Sequence, residues 1–321
     1  MIPTDEITIK IPGSTGNVGP GFDCIGLAVN IFNKISVKKS DKNFEIENNG
    51  VSKEKYDEIP YEQNLIVKGI KLSYPEIDLE KYKIINDNNI PYAGGLGSSA
   101  ASISGGLFIG NYLSGSKLSY EDLMQMAVAI EGHPDNATPC IFGGLTVSYY
   151  SDNESRWKYK KINIKDNLNI MTFVPNFSSE TNASRKKIPQ NIPLNNAVNN
   201  MSRVALLIDS ISSGDYTFLN DATQDYIHQN IRLESFPKIK YLMASAMEAG
   251  ALGAILSGSG PTLMVFSEGK EFTIDYELKE AARKHNLDGK VTLTKASNEG
   301  IQIIKWVILL FKNMAAAHWV I

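Results

Sequence analysis

Pro91-Tyr-Ala-Gly-Gly-Leu-Gly-Ser-Ser-Ala-Ala101 decides how this chain is read. Gly94, Gly95 and Gly97 stand just ahead of Ser98, Ser99, Ala100 and Ala101, and small residues then continue to Asn111 as a predicted helix. Glycine lets an anion approach the main chain. The first N–H groups of a helix have no partner inside it and point outward with the positive end of the dipole behind them. The stretch therefore suits the phosphates of a nucleotide. It lacks the Gly-Lys-Ser/Thr ending of a Walker A loop, and it does not follow the Gly-x-Gly-x-x-Gly dinucleotide pattern. By glycine count alone a turn serving helix packing is an equal reading; the two serines tilt it toward phosphate and metal. Gly105 and Gly106 each cost a helix interior about 1 kcal/mol relative to Ala, which close packing against a neighbour would offset.

Working outward, Lys83-Ile-Ile85 suggests a strand and Asp87-Asn-Asn89 a polar turn. On the other side Ser119 caps a predicted helix, with Asp122 three residues on and Leu123, Met126, Ala127 and Ile130 along one face. Gly132 suits the position after its C-terminus. Glu131 then sits where the dipole disfavours a carboxylate by up to about 1 kcal/mol. Glu131-Gly-His-Pro-Asp-Asn136 gathers two carboxylates, an imidazole and an amide. Alone it reads as a polar loop whose Asp135 or Asn136 caps the next helix. Beside a phosphate loop, Glu131 gains weight as a ligand of Mg²⁺, which is usually held by one or two carboxylates plus substrate phosphates. A third glycine cluster, Ser257-Gly-Ser-Gly-Pro-Thr262, lies between two apolar strands and is by itself a weak signal, since a hairpin turn explains it.

Near the N-terminus, Ile7, Ile9 and Ile11 alternate with Thr8 and Lys10 as a strand does. The strand is expected to run into a loop, Pro12-Gly-Ser-Thr-Gly-Asn-Val-Gly-Pro-Gly-Phe-Asp23. A strand near Ile31 to Val37, a surface hairpin or loop from Asn48 to Pro60, and a helix from Asn64 to Leu72 follow. The composition changes after Tyr150, where Ser151 to Ser155 marks a loop approaching a domain boundary. Beyond it the expected order is strand (Leu168 to Val174), a helix through Ala197, Met201, Val204, Ile208 and Ile211, and a helix from Tyr241 to Ala249. Strands at Ala254 to Leu256 and Thr262 to Phe266, a helix at Asp275 to His285 and a strand at Lys290 to Lys295 complete it. That is a βαββαβ sandwich with an extra helix.

Bulk properties narrow the function. The 321 residues carry 32 Lys+Arg against 35 Asp+Glu, a net charge of −3, which excludes an electrostatically driven nucleic-acid binder. With 43% hydrophobic and 21% charged residues the chain is globular and long enough for roughly two domains. Cys24 and Cys140 are too few for a disulfide framework and lack zinc-site spacing, so a reducing, cytoplasmic setting fits best. The first residues have neither the basic start nor the apolar core of a signal peptide. Trp306-Val-Ile-Leu-Leu-Phe311 is far shorter than the ~20 residues that span a bilayer, so no membrane association is expected.

Taken together, the three glycine clusters resemble the motifs of the GHMP small-molecule kinases: Ile9 to Phe22 the first, Pro91 to Ala101 the second, Ser257 to Pro261 the third. The stretches Pro12 to Asp23 and Glu131 to Gly144 are similar to the homoserine kinase branch of that family. The resemblance implies an enzyme of the α+β class, with a ribosomal S5-like N-terminal domain over residues 1–160 and a ferredoxin-like C-terminal domain over 161–304. It implies ATP and L-homoserine as reactants, Mg²⁺ as cofactor and a homodimer. Carried over position by position, it places Asn64, Pro91, Gly94, Gly95, Leu96, Gly97, Ser98, Ser99, Ala100 and Ala101 around ATP. Ser99 and Glu131 would hold the metal. Asn17, Asp23, His133, Asp135, Asn136, Thr181, Arg185 and Arg232 would line the amino-acid pocket, with Asp135, Asn136 and Arg185 nearest the chemistry. An amino-acid alcohol needs an acidic partner for its ammonium and guanidinium for its carboxylate, and these residue types supply both. Asp135 is open to two roles, base or substrate orienter. Kinases for other small alcohols, and an inactive ATP-binding sensor, are the alternatives on this fold. Residues 305–321 form an apolar tail atypical of the family; a packed element, an oligomer contact and a foreign extension are all open readings.

Overall fold

A computed structural model describes residues 6–41, 44–177 and 184–304. Two sheets organise it. The first contains β1 (Glu6–Gly16), β2 (Ile25–Lys39), β3 (Glu45–Gly50), β4 (Tyr82–Asn88), β5 (Leu145–Ser151), β6 (Arg156–Ile162) and β11 (Gln302–Ile304). Its main path runs β11-β1-β2-β4-β3, and the β5–β6 hairpin joins through β2. The second sheet, of β7 (Asn169–Pro175), β8 (Gly253–Leu256), β9 (Leu263–Ser267) and β10 (Gly289–Lys295), has the order β10-β7-β9-β8 and is antiparallel throughout. Numbered within its own domain this is 4-1-3-2, the ferredoxin-like arrangement expected from the βαββαβ reading.

Helices α2 (Leu65–Ser73), α3 (Ser98–Leu113), α4 (Tyr120–Glu131) and α5 (Pro134–Phe142) accompany the first sheet. The serine-capped start of α4 is a complete capping box with Asp122, and Gly132 ends it with φ 82°. Helix α3 is buried on nearly every side. A Cβ on Gly106 would stand 2.2 Å from the Ile66 carbonyl oxygen, and one on Gly69 would stand 2.5 Å from that of Ile103. Main chain therefore meets main chain where α2 crosses α3 at Gly106, while Gly105 packs closely on the Ile9 and Ile35 side chains of the sheet. In the second domain lie α6 (Leu194–Ser213), α7 (Leu219–Ala222), α8 (Gln229–Leu233), α9 (Pro237–Glu248) and α10 (Glu271–Lys284). The helix-forming stretches around Ala197, Tyr241 and Asp275 all fold as read. Two short helices, α7 and α8, were not foreseen, because four or five residues cannot display a helical period.

Several boundaries differ from the sequence reading. Strand β1 does not stop at Pro12 but pairs with β2 as far as Gly16↔Gly26, after a register shift between Pro12 and Gly13. The bulge lets a proline-containing segment stay in the ladder. Residues 48–60 are not a hairpin: β3 pairs parallel to β4, and a five-residue helix α1 (Lys53–Asp57) follows. The polar residues that suggested solvent are used internally, with Asn86 Nδ2 donating to Asn48 Oδ1 at 2.9 Å and Asn48 Nδ2 to Asp57 Oδ1 at 2.9 Å. Asp87 and Asn88 belong to β4, as partners of Lys34 and Asn33 on β2. Ser151 to Ser155 turns the β5–β6 hairpin rather than leading out of the domain. The expected division at 160/161 and 304 also needs correction, since β6 keeps residues 161 and 162 in the first sheet and β11 returns residues 302–304 to it. No helix among the described residues is long and apolar enough to cross a membrane. The tail at 305–321 lies outside the described residues.

Candidate active site

A cavity of about 740 Å³ lies where the glycine clusters converge. One end is main chain. Ala93, Gly95 and Gly97 have φ of 50°, 83° and 69°, and the helix starts on Gly97, which has no side chain with which to cap the first amides. Beneath the loop lies the third cluster. Ser257 Oγ donates to the Gly95 carbonyl at 2.7 Å, Thr262 N to that of Gly94 at 3.3 Å, and Ser14 N to that of Leu96 at 3.0 Å. A Cβ on Gly95 would lie 2.5 Å from the Ser257 carbonyl oxygen and 2.8 Å from that of Gly260, so a side chain cannot stand there. The Ser257 to Thr262 turn is thus the floor under the Gly94 to Gly97 loop, a role its own composition could not reveal.

Not every residue of Pro91 to Ala101 reaches the cavity. Gly94, Gly95, Gly97, Ser98 and Ser99 line it. Leu96, Ala100 and Ala101 are wholly buried in the core, and Pro91 sits under Gly94. They pack around the loop rather than line the cavity. Asn64 lines the cavity, but its Oδ1 accepts from Ile66 N at 3.0 Å and Val67 N at 3.3 Å as the N-cap of α2. Tyr56 and Tyr92, packed edge to face with centroids 5.4 Å apart, also line it. The Tyr56 hydroxyl contacts Ser98 Oγ and accepts from Asn88 Nδ2 at 2.6 Å. Sequence reasoning missed both tyrosines, because Tyr56 is a lone aromatic among charges in a stretch read as solvent-facing.

Glu131 ends α4 facing the start of α3, and Ser99 Oγ donates to its Oε2 at 2.9 Å. Burial pushes the Glu131 carboxyl above the usual carboxylate range, with Ser99 and His133 pulling the other way. A hydroxyl and a carboxylate are hard oxygen donors of the kind Mg²⁺ takes, and a carboxylate kept from water is one that a cation would relieve. The pair fits the metal.

The other end of the cavity is built from side chains. The ring nitrogen Nδ1 of His133 is 2.5 Å from Asp135 Oδ1. Burial lowers the proton affinity of that imidazole, but Asp135, Asp23 and Glu131 together carry it above the ordinary value. Asp135, only 2% exposed, accepts from Asn17 N through Oδ2 at 3.0 Å. Asn17 Nδ2 donates to the Gly258 carbonyl at 3.1 Å, and Asn17 Oδ1 accepts from Asp23 N at 3.0 Å. Asn136 Oδ1 accepts from Ser14 Oγ at 2.9 Å. Two glycines facing each other across the ladder, Gly16 and Gly26, clear the space. A Cβ on Gly16 would stand 2.2 Å from Asp135 Oδ2, and one on Gly26 would stand 1.7 Å from the Asp135 carbonyl oxygen. From the second domain, Arg185 forms a two-pronged pair with Asp23, Nη1 to Oδ1 at 3.1 Å and Nη2 to Oδ2. Arg232 is buried, with Nη1 donating to the Gly258 carbonyl at 2.7 Å. Thr181 lies outside the described residues. Asp23, His133 and Asp135 also place one donor atom each within 4.8 Å of the others. Arg185 and the His133–Asp135 contact already occupy them, so Ser99 and Glu131 remain the better metal pair.

Residues 64–144 match the GHMP kinases N terminal domain and residues 207–289 the GHMP kinases C terminal domain. The chain is also 35% identical over 305 residues to the homoserine kinase of Clostridium beijerinckii, covering 93% of this chain and 99% of that one. This chain belongs to the GHMP kinase family. Another relative of this GHMP kinase is the homoserine kinase of Petrotoga mobilis, 35% identical over 300 residues, 93% of this chain and 96% of the relative. Among solved structures it is similar to homoserine kinase from Cytophaga hutchinsonii, with a TM-score of 0.81 and 27% identity over 94% of this chain and 98% of that chain. The fold is shared with L. major mevalonate kinase, at a TM-score of 0.69, 15% identity, and coverage of 89% and 95%. The motif resemblance, the two-domain α+β fold and the expectation of an enzyme are all borne out.

Proposed function

We propose that this GHMP kinase transfers the terminal phosphoryl group of ATP to the hydroxyl of L-homoserine, giving O-phospho-L-homoserine and ADP. The observation that carries the choice of alcohol is the Asp23–Arg185 pair at the side-chain end of the cavity. A carboxylate held against a guanidinium is complementary to a zwitterion, whose ammonium takes Asp23 and whose carboxylate takes Arg185 and Arg232. A sugar or a simple hydroxy acid has no use for both. The homoserine kinase names of the relatives agree with this reading.

Phosphoryl transfer asks a protein for in-line positioning and charge neutralisation rather than covalent work. The amides at the start of α3 would take the phosphates, with the Ser257 to Thr262 floor keeping the loop rigid. Ser99 and Glu131 would hold Mg²⁺, which when bound offsets phosphate charge. Asn17 and Asp23 would receive the ammonium, and Asn136 would lie beside the hydroxyl. Asp135 has one oxygen on Asn17 N–H and the other against His133. We read it as an orienter of the alcohol rather than an obligatory base. A cytoplasmic homodimer completes the proposal. Free Cys24 and Cys140 suit a reducing compartment, and light scattering checks the dimer.

An ADP-release assay with L-homoserine, mevalonate, galactose and shikimate tests the substrate. Homoserine should lead the others by roughly a hundredfold in kcat/KM, since a site built for charged groups rejects analogues lacking them. Faster turnover of another alcohol would move the assignment elsewhere in the family. ATP binding without ADP release would mean a sensor.

A further inference from the structure

Behind Arg232 lies a histidine that does not line the cavity. His228 is 0% exposed. Its Nε2 stands 2.8 Å from the Gly19 carbonyl oxygen and its Nδ1 stands 3.1 Å from Arg232 Nη1. A carbonyl can only accept and a guanidinium can only donate. The neutral ring therefore carries its proton on Nε2, gives it to Gly19, and accepts from Arg232 through Nδ1. Burial, the largest influence on this imidazole, favours the same neutral form.

The imidazole is itself firmly set. Asp225 Oδ2 accepts from the backbone N–H of His228 at 2.7 Å and of Gln229 at 2.6 Å, and Asp225 Oδ1 accepts from Asn200 Nδ2 at 2.9 Å. Asn200 Nδ2 also reaches the Pro20 carbonyl at 3.1 Å, so the same cluster grips both domains. The Phe22 ring lies 5.2 Å from the imidazole and 5.5 Å from the Arg232 guanidinium carbon. Among the described residues Arg232, by contrast, has besides the Phe22 ring only two hydrogen-bond acceptors, His228 Nδ1 and the Gly258 carbonyl, and its Nε is buried without a partner.

We infer that His228 is a positioning residue, which sets the orientation of Arg232 by presenting an acceptor at Nδ1 and so governs affinity for the substrate's carboxylate. The inference rests on the reading above that Arg232 receives that carboxylate. Two substitutions separate acceptor from shape. His228→Asn places an amide oxygen near the Nδ1 position, whereas His228→Gln carries its amide to the Nε2 position and leaves only a methylene facing Arg232.

His228→Gln should raise KM for L-homoserine about tenfold or more while kcat and KM for ATP stay within about threefold, the size expected for one lost charge-assisted hydrogen bond. His228→Asn should bring that KM back to within about threefold of the parent. The compound 3-aminopropan-1-ol, homoserine without its carboxylate, should inhibit all three proteins alike. Thermal melts identify a variant that has not folded; in that event His228→Ala, which removes the acceptor without adding bulk, replaces Gln in the comparison. Equal KM values for the Asn and Gln variants, or a Gln penalty that persists for 3-aminopropan-1-ol, overturns the inference. Arg232→Gln is the reference. If it leaves KM for homoserine unchanged, the carboxylate reading itself has failed; if it raises KM while His228→Gln does not, only the role of His228 has failed.

Discussion

The two ends of the cavity are made of different material. At the proposed phosphate end the groups on offer are amides of one continuous stretch, Gly94 to Ser99, shaped by glycines with positive φ and supported by the Ser257 turn. At the amino-acid end they are side chains delivered from separate places: Asn17 and Asp23 after β1, Asp135 on α5, Arg185 and Arg232 from the second domain. A main-chain site tolerates no change of shape but is indifferent to most side chains. A side-chain site keeps its shape on substitution and loses one charge at a time.

That contrast can be broken by experiment. The largest effect belongs to Gly95→Ala, whose methyl would meet two carbonyl oxygens at 2.5 and 2.8 Å in a left-handed backbone. Forcing the loop aside should cut kcat/KM by about a thousandfold and stability by about 2–4 kcal/mol, read from ADP release and urea unfolding. Wild-type kinetics would mean that the floor of the loop yields. Next comes Glu131→Gln, which removes charge from the proposed metal pair. Turnover should fall roughly a hundredfold, with a raised requirement for Mg²⁺ in a titration at fixed ATP. An unchanged Mg²⁺ curve would take Glu131 out of that pair.

On the side-chain end, Asp23→Asn keeps the volume and removes one half of the ion pair. It should raise KM for homoserine by about ten- to a hundredfold with KM for ATP unmoved, since a charge-assisted contact is worth roughly 1.5–3 kcal/mol. A shift in both constants would show that the two ends are not independent. The smallest effect is expected for Asp135→Asn, whose amide oxygen can still accept from Asn17 N–H. Turnover within about tenfold of the parent fits an orienter, whereas a loss of several thousandfold would restore Asp135 as base.

The same division explains what could be read in advance. The glycine loop into α3, the α4 capping box and the βαββαβ order of the second sheet were legible because each is written in neighbouring residues, as spacing or as glycine where the chain needs it. Asp23 and Arg185 stood out only through their likeness to the family, for nothing local says that residues 23 and 185 meet. The buried side of the site was not legible. His228 looks like any polar residue beside a short helix until the fold puts Gly19 and Arg232 on either side of its ring. Asn48 suggested solvent because its partner, Asn86, lies across a sheet, at a distance in sequence that no local pattern records. Leu96, Ala100 and Ala101 belong to the core rather than to the cavity lining, since a motif carries its internal packing along with its contacts.

Strand β11 closes the molecule on itself. After the second domain is complete, the chain runs back along α5, with Ser297 N–H on Ala28, Gly144 N–H on Ser297 and Ile301 N–H on Ile141, before β11 zips onto β1. Polypeptide therefore crosses between the halves twice, once outbound near 162 and once returning near 296, so a fragment ending at 160 would present β1 with a bare, sticky flank. The halves of this kinase are joined at two seams, and any opening of the cleft must flex both.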